Sequence, residues 1–283
     1  MEQNNRLMKI AIAGMGLIGG SMGLALKKRT RHTVIGIDID PKVVERALDS
    51  GAADMAGTEH LAQADLLVLA LPPAAAVEFL KAHAAKLKRG AVVTDVCGVK
   101  RYIVHKCRPI CLEYGLSFVG GHPMAGKENS GFSNATDDLF EGAYYILTPT
   151  EDTPKADLEM LRKMAYDIGC AGVTITKAEQ HDRIIAFTSQ LPHVLAGAYV
   201  KSPRCAENKG YSAGSYRDVS RVATVDESLW TQLCMMNADN LCNEIDELIK
   251  NLKACREAVA NGEPSNLTKV LREGRLKKEC VKE

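Results

Sequence analysis

The sequence predicts a doubly wound α/β domain followed by an all-helical domain. Short apolar runs alternate with helical segments up to residue 176, as at residues 8–13, 65–71 and 91–96. Apolar runs in a β-α-β order are typical of a mostly parallel sheet that is covered by helices on both faces. Beyond residue 177 the β-branched runs vanish and only helical patterns continue. We therefore expect two domains, at residues 1–177 and 178–283.

Length and composition indicate an ordinary globular protein. The chain has 283 residues, of which 46% are hydrophobic, and its net charge is +1. This length can bury two cores, and the balanced charge points to neither nucleic acid nor a membrane as a partner. Because there is no 18-residue apolar run and no signal-peptide pattern, we expect a cytoplasmic protein. The nine cysteines lack framework or metal-ligand spacing, so we interpret them as reduced thiols and expect no metal.

A glycine-rich turn follows the first apolar run. Gly14, Gly16 and Gly19 have the spacing G-x-G-x-x-G, and a helical segment follows them to about residue 29. The first glycine permits a tight turn, the second lets the backbone approach a pyrophosphate, and the third lets the helix pack closely on the strand. This pattern predicts a dinucleotide site of the Rossmann type, and we assign Leu17 and Ile18 to the same cofactor-binding turn.

An acidic residue at the end of the second β-like run selects the cofactor. Asp38 lies 19 residues after Gly19, where a carboxylate can accept hydrogen bonds from the adenosine ribose. A 2′-phosphate would meet a like charge there, so the sequence favours NAD over NADP. Asp40 competes for this role only if the strand ends later than residue 37. Further cofactor contacts are expected on the same rim of the sheet, at Leu71, Pro72 and Asp95.

One histidine is placed for catalysis. A nicotinamide cofactor implies that hydride leaves a substrate carbon, and imidazole is the usual partner for a hydroxyl on that carbon. His122 ends a predicted strand, where the Rossmann geometry brings it near the nicotinamide, although a structural histidine that caps a loop is the alternative. Four earlier histidines are expected at the surface, namely His32, His60, His83 and His105.

The helical part supplies candidates for substrate binding. His193 follows a proline kink expected near residue 190 and shares a helix face with Gln190. Arg221 could hold a carboxylate with its guanidinium, although a charged surface helix accounts for its surroundings equally well. His181, next to Asp182 near the start of a helix, is interpreted as a surface or hinge residue.

Residues 226–259 are predicted to form one long amphipathic helix with an apolar stripe along it. A small domain has too little surface to cover such a stripe from within. We therefore expect it to pack against a second subunit in a homodimer, with an intramolecular core as the alternative.

Together these motifs resemble the prephenate/arogenate dehydrogenase family of tyrosine biosynthesis. The similarity covers nearly the whole chain and rests on the segments GMGLIGGS, DVCGVK, GGHPMAG, SQLPH and SYRDVSR. It implies a Rossmann domain, an all-α dimerisation domain, and NAD-dependent oxidative decarboxylation of prephenate to 4-hydroxyphenylpyruvate. In that reaction the carbon bearing the ring C4 hydroxyl gives a hydride to NAD while the ring carboxylate leaves as CO2.

The same resemblance implies roles for individual residues. His122 would hydrogen-bond the C4 hydroxyl, and Arg221 would hold a substrate carboxylate. Glu128 would be an acid that can pair with that arginine, and His193 would face the side-chain end of the substrate.

Three positions depart from the family pattern. Gly98 stands where many members have a serine that could assist the histidine, and Gln190 stands where many have a histidine. Lys127 replaces a threonine of some members and could bind a carboxylate or point to solvent. Prephenate carries one more net negative charge than arogenate, and the ammonium of Lys127 favours the more negative substrate. We therefore expect prephenate first and arogenate second.

Two further interpretations remain at this stage. A β-hydroxyacid dehydrogenase would want a catalytic lysine within the first helix of the helical domain, where Lys177 and Lys201 stand only at the ends. A non-catalytic NAD-sensing protein would keep the glycine turn but would not need His122 or Arg221.

Overall fold

The computed structural model describes residues 7–127 and 129–281. Its first part is built on one eight-stranded sheet with the order β3-β2-β1-β4-β5-β6-β7-β8. The strands are β1 (Lys9–Ala13), β2 (Thr33–Ile37), β3 (Met55–Ala56), β4 (Leu66–Leu69), β5 (Val92–Asp95), β6 (Ser117–Pro123), β7 (Tyr144–Thr148) and β8 (Gly172–Ile175). The mostly parallel α/β sheet is confirmed, and the two-residue strand β3 is an addition to the prediction.

The strand pairing creates a crevice at the carboxyl end of the sheet. Strand β1 pairs in parallel with both β2 and β4, so the chain winds outwards in both directions from this point. Ligands of open α/β sheets bind at such a switch point. Strand β6 pairs in parallel with β5 and antiparallel with β7, and β8 forms the edge of the sheet by pairing in parallel with β7.

Helices cover both faces of the sheet because alternate strand residues point to opposite sides. Ile10 and Ile12 pack into one core, which includes residues of α1 (Leu17–Arg29), α2 (Pro41–Asp49) and α5 (Lys155–Asp167). Ala11 and Ala13 pack into the other core, which includes residues of α3 (Pro73–His83) and α4 (Arg101–Glu113).

Within the described residues, six α-helices follow β8. They are α6 (Ala178–Ile185), α7 (Leu191–Tyr199), α8 (Gly214–Ser220), α9 (Glu227–Met235), α10 (Ala238–Ala260) and α11 (Pro264–Cys280). A π-helical turn over residues 186–190 separates α6 from α7, with Pro192 in the first turn of α7. The irregularity falls where the sequence predicted a kink, near residue 190.

The long stripe over residues 226–259 does not lie on one helix, contrary to the sequence-based expectation. The chain breaks at Asn237, between α9 and α10, and this residue is fully buried. Its side-chain amide donates to the main-chain carbonyl of Asp182 at 2.8 Å and to the side chain of Gln190 at 2.7 Å. These tertiary hydrogen bonds explain the break, since no proline or glycine marks it in the sequence. Within the described residues, no helix is long and apolar enough to cross a membrane.

Candidate active site

The glycine turn is shaped by contacts that a side chain would disrupt. Gly14 has φ +93°, a conformation that favours glycine, and its N–H donates to the carbonyl of Ile37 at 2.7 Å. A Cβ at Gly19 would lie 1.9 Å from the carbonyl oxygen of Gly14. A Cβ at Gly16, by contrast, would have no neighbour within 4 Å. The open space at Gly16 lies at the N-terminus of α1, where a pyrophosphate can approach the backbone N–H groups.

The acid at the end of β2 stands against this turn. Strand β2 ends at Ile37, so Asp38 is the first residue beyond it, as the sequence predicted. Its carboxylate accepts hydrogen bonds from the N–H of Met15 at 2.8 Å and of Asp40 at 3.0 Å. Asp40 itself caps α2 by accepting from the N–H of Lys42 at 2.9 Å. The structure thus leaves Asp38 as the carboxylate beside the glycine turn.

Two of the other expected cofactor contacts lie near the turn, and the third side chain does not. Leu71 and Pro72 follow β4, and a Cβ at Gly14 would lie 2.9 Å from the Leu71 side chain. Asp95 is fully buried, which corrects its assignment to direct side-chain contact with the cofactor. Its carboxylate accepts from the N–H groups of Cys97 at 2.8 Å and Gly121 at 3.1 Å, and it pairs with the ammonium of Lys100.

His122 is the second-to-last residue of β6, at the end of the strand where the sequence placed it. Its ring Nδ1 is 2.9 Å from Nε2 of His181, and the two rings meet edge to face. The pKa of His122 is lowered well below the ordinary value of 6.5, first by burial and then by the nearby His181 and Lys100. The imidazole is therefore a neutral base at neutral pH.

His181 is not a surface or hinge residue, which corrects the sequence-based expectation. It is 2% exposed, and its Nδ1 is 2.7 Å from the Asp182 carboxylate. Burial lowers the pKa of His181, while the hydrogen bond to Asp182 raises it by a smaller amount. For Asp182, burial favours the protonated form, but hydrogen bonds from His181 and from two backbone N–H groups outweigh it and lower the pKa.

Asp182 joins the helical part to the sheet. Its carboxylate accepts from the backbone N–H of Lys100 at 2.7 Å and of Arg101 at 2.9 Å, at the start of α4. The Arg101 guanidinium in turn donates to the side chain of Asn237 at 3.0 Å and to Asp239 of α10 at 2.8 Å. Sequence reasoning missed this network, although the adjacent pair His181-Asp182 was a visible signal for it.

The other nitrogen of His122 faces the gap between the two parts of the chain. A Cβ at Gly98 would lie 4.0 Å from Nε2 of His122 and 3.6 Å from the side chain of Leu233. Leu233 belongs to α9, so this helix stands opposite the rim of the sheet. The Nε2 atom is therefore the one that a bound substrate can reach.

His193 and Gln190 have different surroundings. His193 is half-buried, donates from Nδ1 to the carbonyl of Ser189 at 2.8 Å, and stacks on Trp230 with ring centroids 3.8 Å apart. Gln190 is 2% exposed, and its amide donates to the carbonyl of Leu233 at 2.9 Å. Because its carbonyl also accepts from Asn237, Gln190 tethers neighbouring helices, which corrects its expected role as a substrate ligand.

Arg221 and Lys127, two of the remaining expected substrate ligands, lie in surface segments. Arg221 is exposed and begins a short 3₁₀ turn that packs against α7, the helix that carries His193. Lys127 donates to the carbonyl of Asn134 at 3.3 Å and to the hydroxyl of Thr136 at 3.0 Å, within its own loop. Glu128 lies outside the described residues.

Another histidine was also misplaced by the sequence. His32 was expected at the surface but is 3% exposed. Its Nδ1 accepts from the N–H of Met8 at 3.2 Å, and its Nε2 is 3.5 Å from Asp167. It ties the start of β1 to α5, far along the chain from the residues around His122. Within residues 7–127 and 129–281, no cluster of histidine, cysteine and acidic residues could hold a metal.

Fold and site together define a two-part dehydrogenase-like protein, with a dinucleotide turn on the sheet and a half-buried histidine at the rim, opposite a helix of the helical part. Residues 22–174 match the family described as prephenate dehydrogenase, nucleotide-binding domain, and residues 177–273 match prephenate dehydrogenase, dimerization domain. The chain belongs to the prephenate dehydrogenase family.

Individual relatives agree with this assignment. The chain is 32% identical to prephenate dehydrogenase of Bacillus subtilis (strain 168), over 91% of this chain and 72% of that protein. It resembles the structure of A. aeolicus prephenate dehydrogenase in complex with hydroxyphenyl propionate and NAD+, with a TM-score of 0.84, 29% identity, and coverage of 99% and 100%. It also resembles Synechocystis arogenate dehydrogenase, with a TM-score of 0.81, 27% identity, and coverage of 96% and 99%.

Proposed function

We propose that this protein is an NAD-dependent prephenate dehydrogenase, which converts prephenate to 4-hydroxyphenylpyruvate. The observation that carries the proposal is the half-buried, neutral imidazole of His122 at the carboxyl rim of the sheet, close to Gly98 and facing α9. An acceptor at this position suits a substrate whose hydroxyl-bearing carbon gives up a hydride. The family membership and the named relatives support the same reaction.

The residues around the glycine turn fit the proposed cofactor. Gly16 leaves open space at the N-terminus of α1, and Gly14 and Gly19 are held in close backbone contact. Asp38 stands beside the turn, where its carboxylate would accept hydrogen bonds from the adenosine ribose and would repel a 2′-phosphate. When bound, NAD supplies the hydride acceptor.

The protein's own residues then act on the substrate. Nε2 of His122 accepts a hydrogen bond from the C4 hydroxyl and, by drawing the hydroxyl proton toward itself, raises the electron density on the oxygen as the hydride leaves C4. The bond between the ring and its carboxylate breaks, and its electron pair completes the aromatic ring as CO2 departs. The phenol product keeps the hydroxyl proton. Arg221 and His193 hold the substrate's carboxylate and side-chain ends, as the sequence analysis expected.

Arogenate is the second candidate substrate. The similarity to a protein named arogenate dehydrogenase favours testing it. The decisive experiment supplies prephenate and arogenate side by side, each with NAD+ and with NADP+, and measures NADH or NADPH absorbance together with released CO2. We expect the highest kcat/KM with prephenate and NAD+. Absence of turnover with both substrates would contradict the proposal.

We also propose that the enzyme is a homodimer that pairs through its helical part, residues 178–283. Several large apolar side chains stand exposed on these helices, including Tyr199, Leu252, Val259 and Leu271. Such a surface is typical of a subunit interface. The match to a dimerization domain supports this arrangement, and a cytoplasmic location stays a prediction.

Two alanine substitutions should separate folding from cofactor binding. Gly19→Ala forces a Cβ onto the Gly14 carbonyl, so we expect it to lower the free energy of unfolding by about 1–3 kcal/mol. Gly16→Ala meets no protein atom and should leave stability unchanged. It should nevertheless weaken NAD+ binding about tenfold, a cost of about 1.4 kcal/mol, because the methyl group stands where the pyrophosphate approaches. Urea unfolding and NAD+ titration measure the two effects, and equal NAD+ affinity in Gly16→Ala would contradict the assigned site.

The pH dependence of the reaction should reflect the lowered pKa of His122. Burial, His181 and Lys100 all lower this pKa, while Asp182 and Asp95 carry the charges that face those two partners. The base form of His122 therefore persists below pH 6.5, the ordinary value. We expect kcat/KM to stay level as the pH falls through 6.5 and to decline only below the lowered pKa. A pH profile of kcat/KM with an acid limb centred at or above 6.5 would contradict a neutral base whose pKa is lowered.

A further inference from the structure

The ring of His122 is held from behind by a chain of buried side chains. Its Nδ1 lies 2.9 Å from Nε2 of His181, and Nδ1 of His181 lies 2.7 Å from the Asp182 carboxylate. Among residues 7–127 and 129–281, His181 is the one hydrogen-bond partner of the His122 ring. These hydrogen bonds link β6 of the sheet to α6, the first helix after the sheet, so the orientation of His122 depends on α6.

The hydrogen bonds that join His122, His181 and Asp182 specify which ring nitrogen carries each proton. Asp182 accepts from the N–H groups of both Lys100 and Arg101, so its carboxylate acts as an acceptor on all sides. Nδ1 of His181 must then donate to Asp182, which leaves Nε2 of a neutral His181 as an acceptor. Nδ1 of His122 therefore donates to His181, and Nε2 of His122 carries the free lone pair.

The charged groups around the two rings favour the neutral form of His181. The ammonium of Lys100 is buried with Asp95 beneath His122 and disfavours a second cation nearby. The Arg101 guanidinium lies on the far side of Asp182, 3.4 Å from its carboxylate, and pairs mainly with Asp239. A protonated His181 would instead donate to His122, and it would place the hydrogen of His122 on Nε2, where it would block the substrate hydroxyl.

We propose that His181, oriented by Asp182, is the positioning residue that fixes the tautomer of His122 and keeps its Nε2 a hydrogen-bond acceptor toward the substrate. This inference rests on the proposed function for its kinetic consequence but not for the tautomer itself. It is the same division of labour by which a carboxylate sets the tautomer of a general base in hydrolytic triads.

The residue on the other side of the His122 ring, residue 98, makes the hydrogen bond from His122 to His181 especially important in this protein. Residue 98 is a glycine, and the site of a Cβ there is 4.0 Å from Nε2 of His122. No side chain at residue 98 can therefore orient the ring from the substrate side. His181 is left to hold the ring through Nδ1 alone.

Two substitutions of His181 distinguish a hydrogen-bonding role of this residue from a role in packing alone. The amide of an asparagine overlays Nδ1 of histidine, so His181→Asn can still reach Asp182 but lacks the acceptor for His122. The longer His181→Gln places an amide oxygen near the former Nε2 and can accept from His122 again. We expect kcat to fall about 10- to 100-fold in His181→Asn and to recover in part in His181→Gln, with NAD+ affinity unchanged in both.

NMR provides a readout that a packing role would not move. In protein labelled with ¹⁵N-histidine, long-range ¹H–¹⁵N spectra report which ring nitrogen carries hydrogen. We expect protonated Nδ1 and unprotonated Nε2 at His122 in the wild type and in His181→Gln. In His181→Asn we expect the population to shift toward the form protonated at Nε2.

Glu179→Gln is the matched control, because this exposed acid lies on the same helix two residues before His181. It should change neither kcat nor the His122 tautomer. The inference is overturned if wild-type His122 carries its hydrogen on Nε2, or if His181→Asn keeps wild-type turnover. Absence of wild-type turnover with both prephenate and arogenate would instead overturn the proposed function, while the NMR measurement would still decide the tautomer.

Discussion

Replacing His122 by asparagine is expected to lower kcat with prephenate by about 10²- to 10⁴-fold, the usual contribution of a positioned acid–base side chain. The amide of the asparagine can still donate to Nε2 of His181, so the buried network keeps one of its hydrogen bonds. The asparagine has no group in the place of the imidazole Nε2, and the substrate hydroxyl therefore loses its acceptor. The glycine turn is untouched, so NAD+ should bind as in the wild type.

Two measurements check this expectation. Initial rates of NADH formation give kcat, and titration with NAD+ gives the affinity of the cofactor site. His105→Asn makes the same chemical change on the exposed side of α4 and should leave both quantities unaltered. A His122→Asn enzyme that retains wild-type turnover would remove His122 from the mechanism.

The features that the sequence predicted well are those set by neighbours along the chain. The glycine turn, the end of β2 and Asp38 form one continuous βαβ segment, in which spacing determines geometry. His122 was predicted for a related reason, because a residue at the carboxyl end of a parallel strand must lie on the functional rim.

The features that were missed depend on which distant elements pack together. His181 looks like an exposed polar residue on a short helix, and only the docking of α6 against β6 and the start of α4 buries it. Gln190 occupies a position expected to face substrate, yet the break at Asn237 turns a helix end toward it and engages its amide. In each case a polar side chain is satisfied by a partner 40 or more residues away, which no local pattern encodes.

The buried ion pair between Asp95 and Lys100 was likewise not predicted from the sequence. Breaking it is expected to have a large effect on stability. Asp95 was expected to contact the cofactor because it ends a rim strand, but it is fully buried, as is Lys100. The ammonium of Lys100 pairs with the Asp95 carboxylate and donates to the carbonyl of Gly121 at 2.5 Å. The pair therefore supports the backbone immediately before His122.

Lys100→Met is expected to lower the free energy of unfolding by about 3–5 kcal/mol, because it leaves the Asp95 carboxylate buried without its cation and the Gly121 carbonyl without its donor. Neutralising both partners in Asp95→Asn/Lys100→Met should recover much of this loss, since the uncompensated buried charge disappears. Lys81→Met breaks an exposed ion pair with Glu78 and should change stability little. Urea unfolding of the four proteins decides the matter: if Lys100→Met costs no more than Lys81→Met, the buried pair does not support the segment that carries His122.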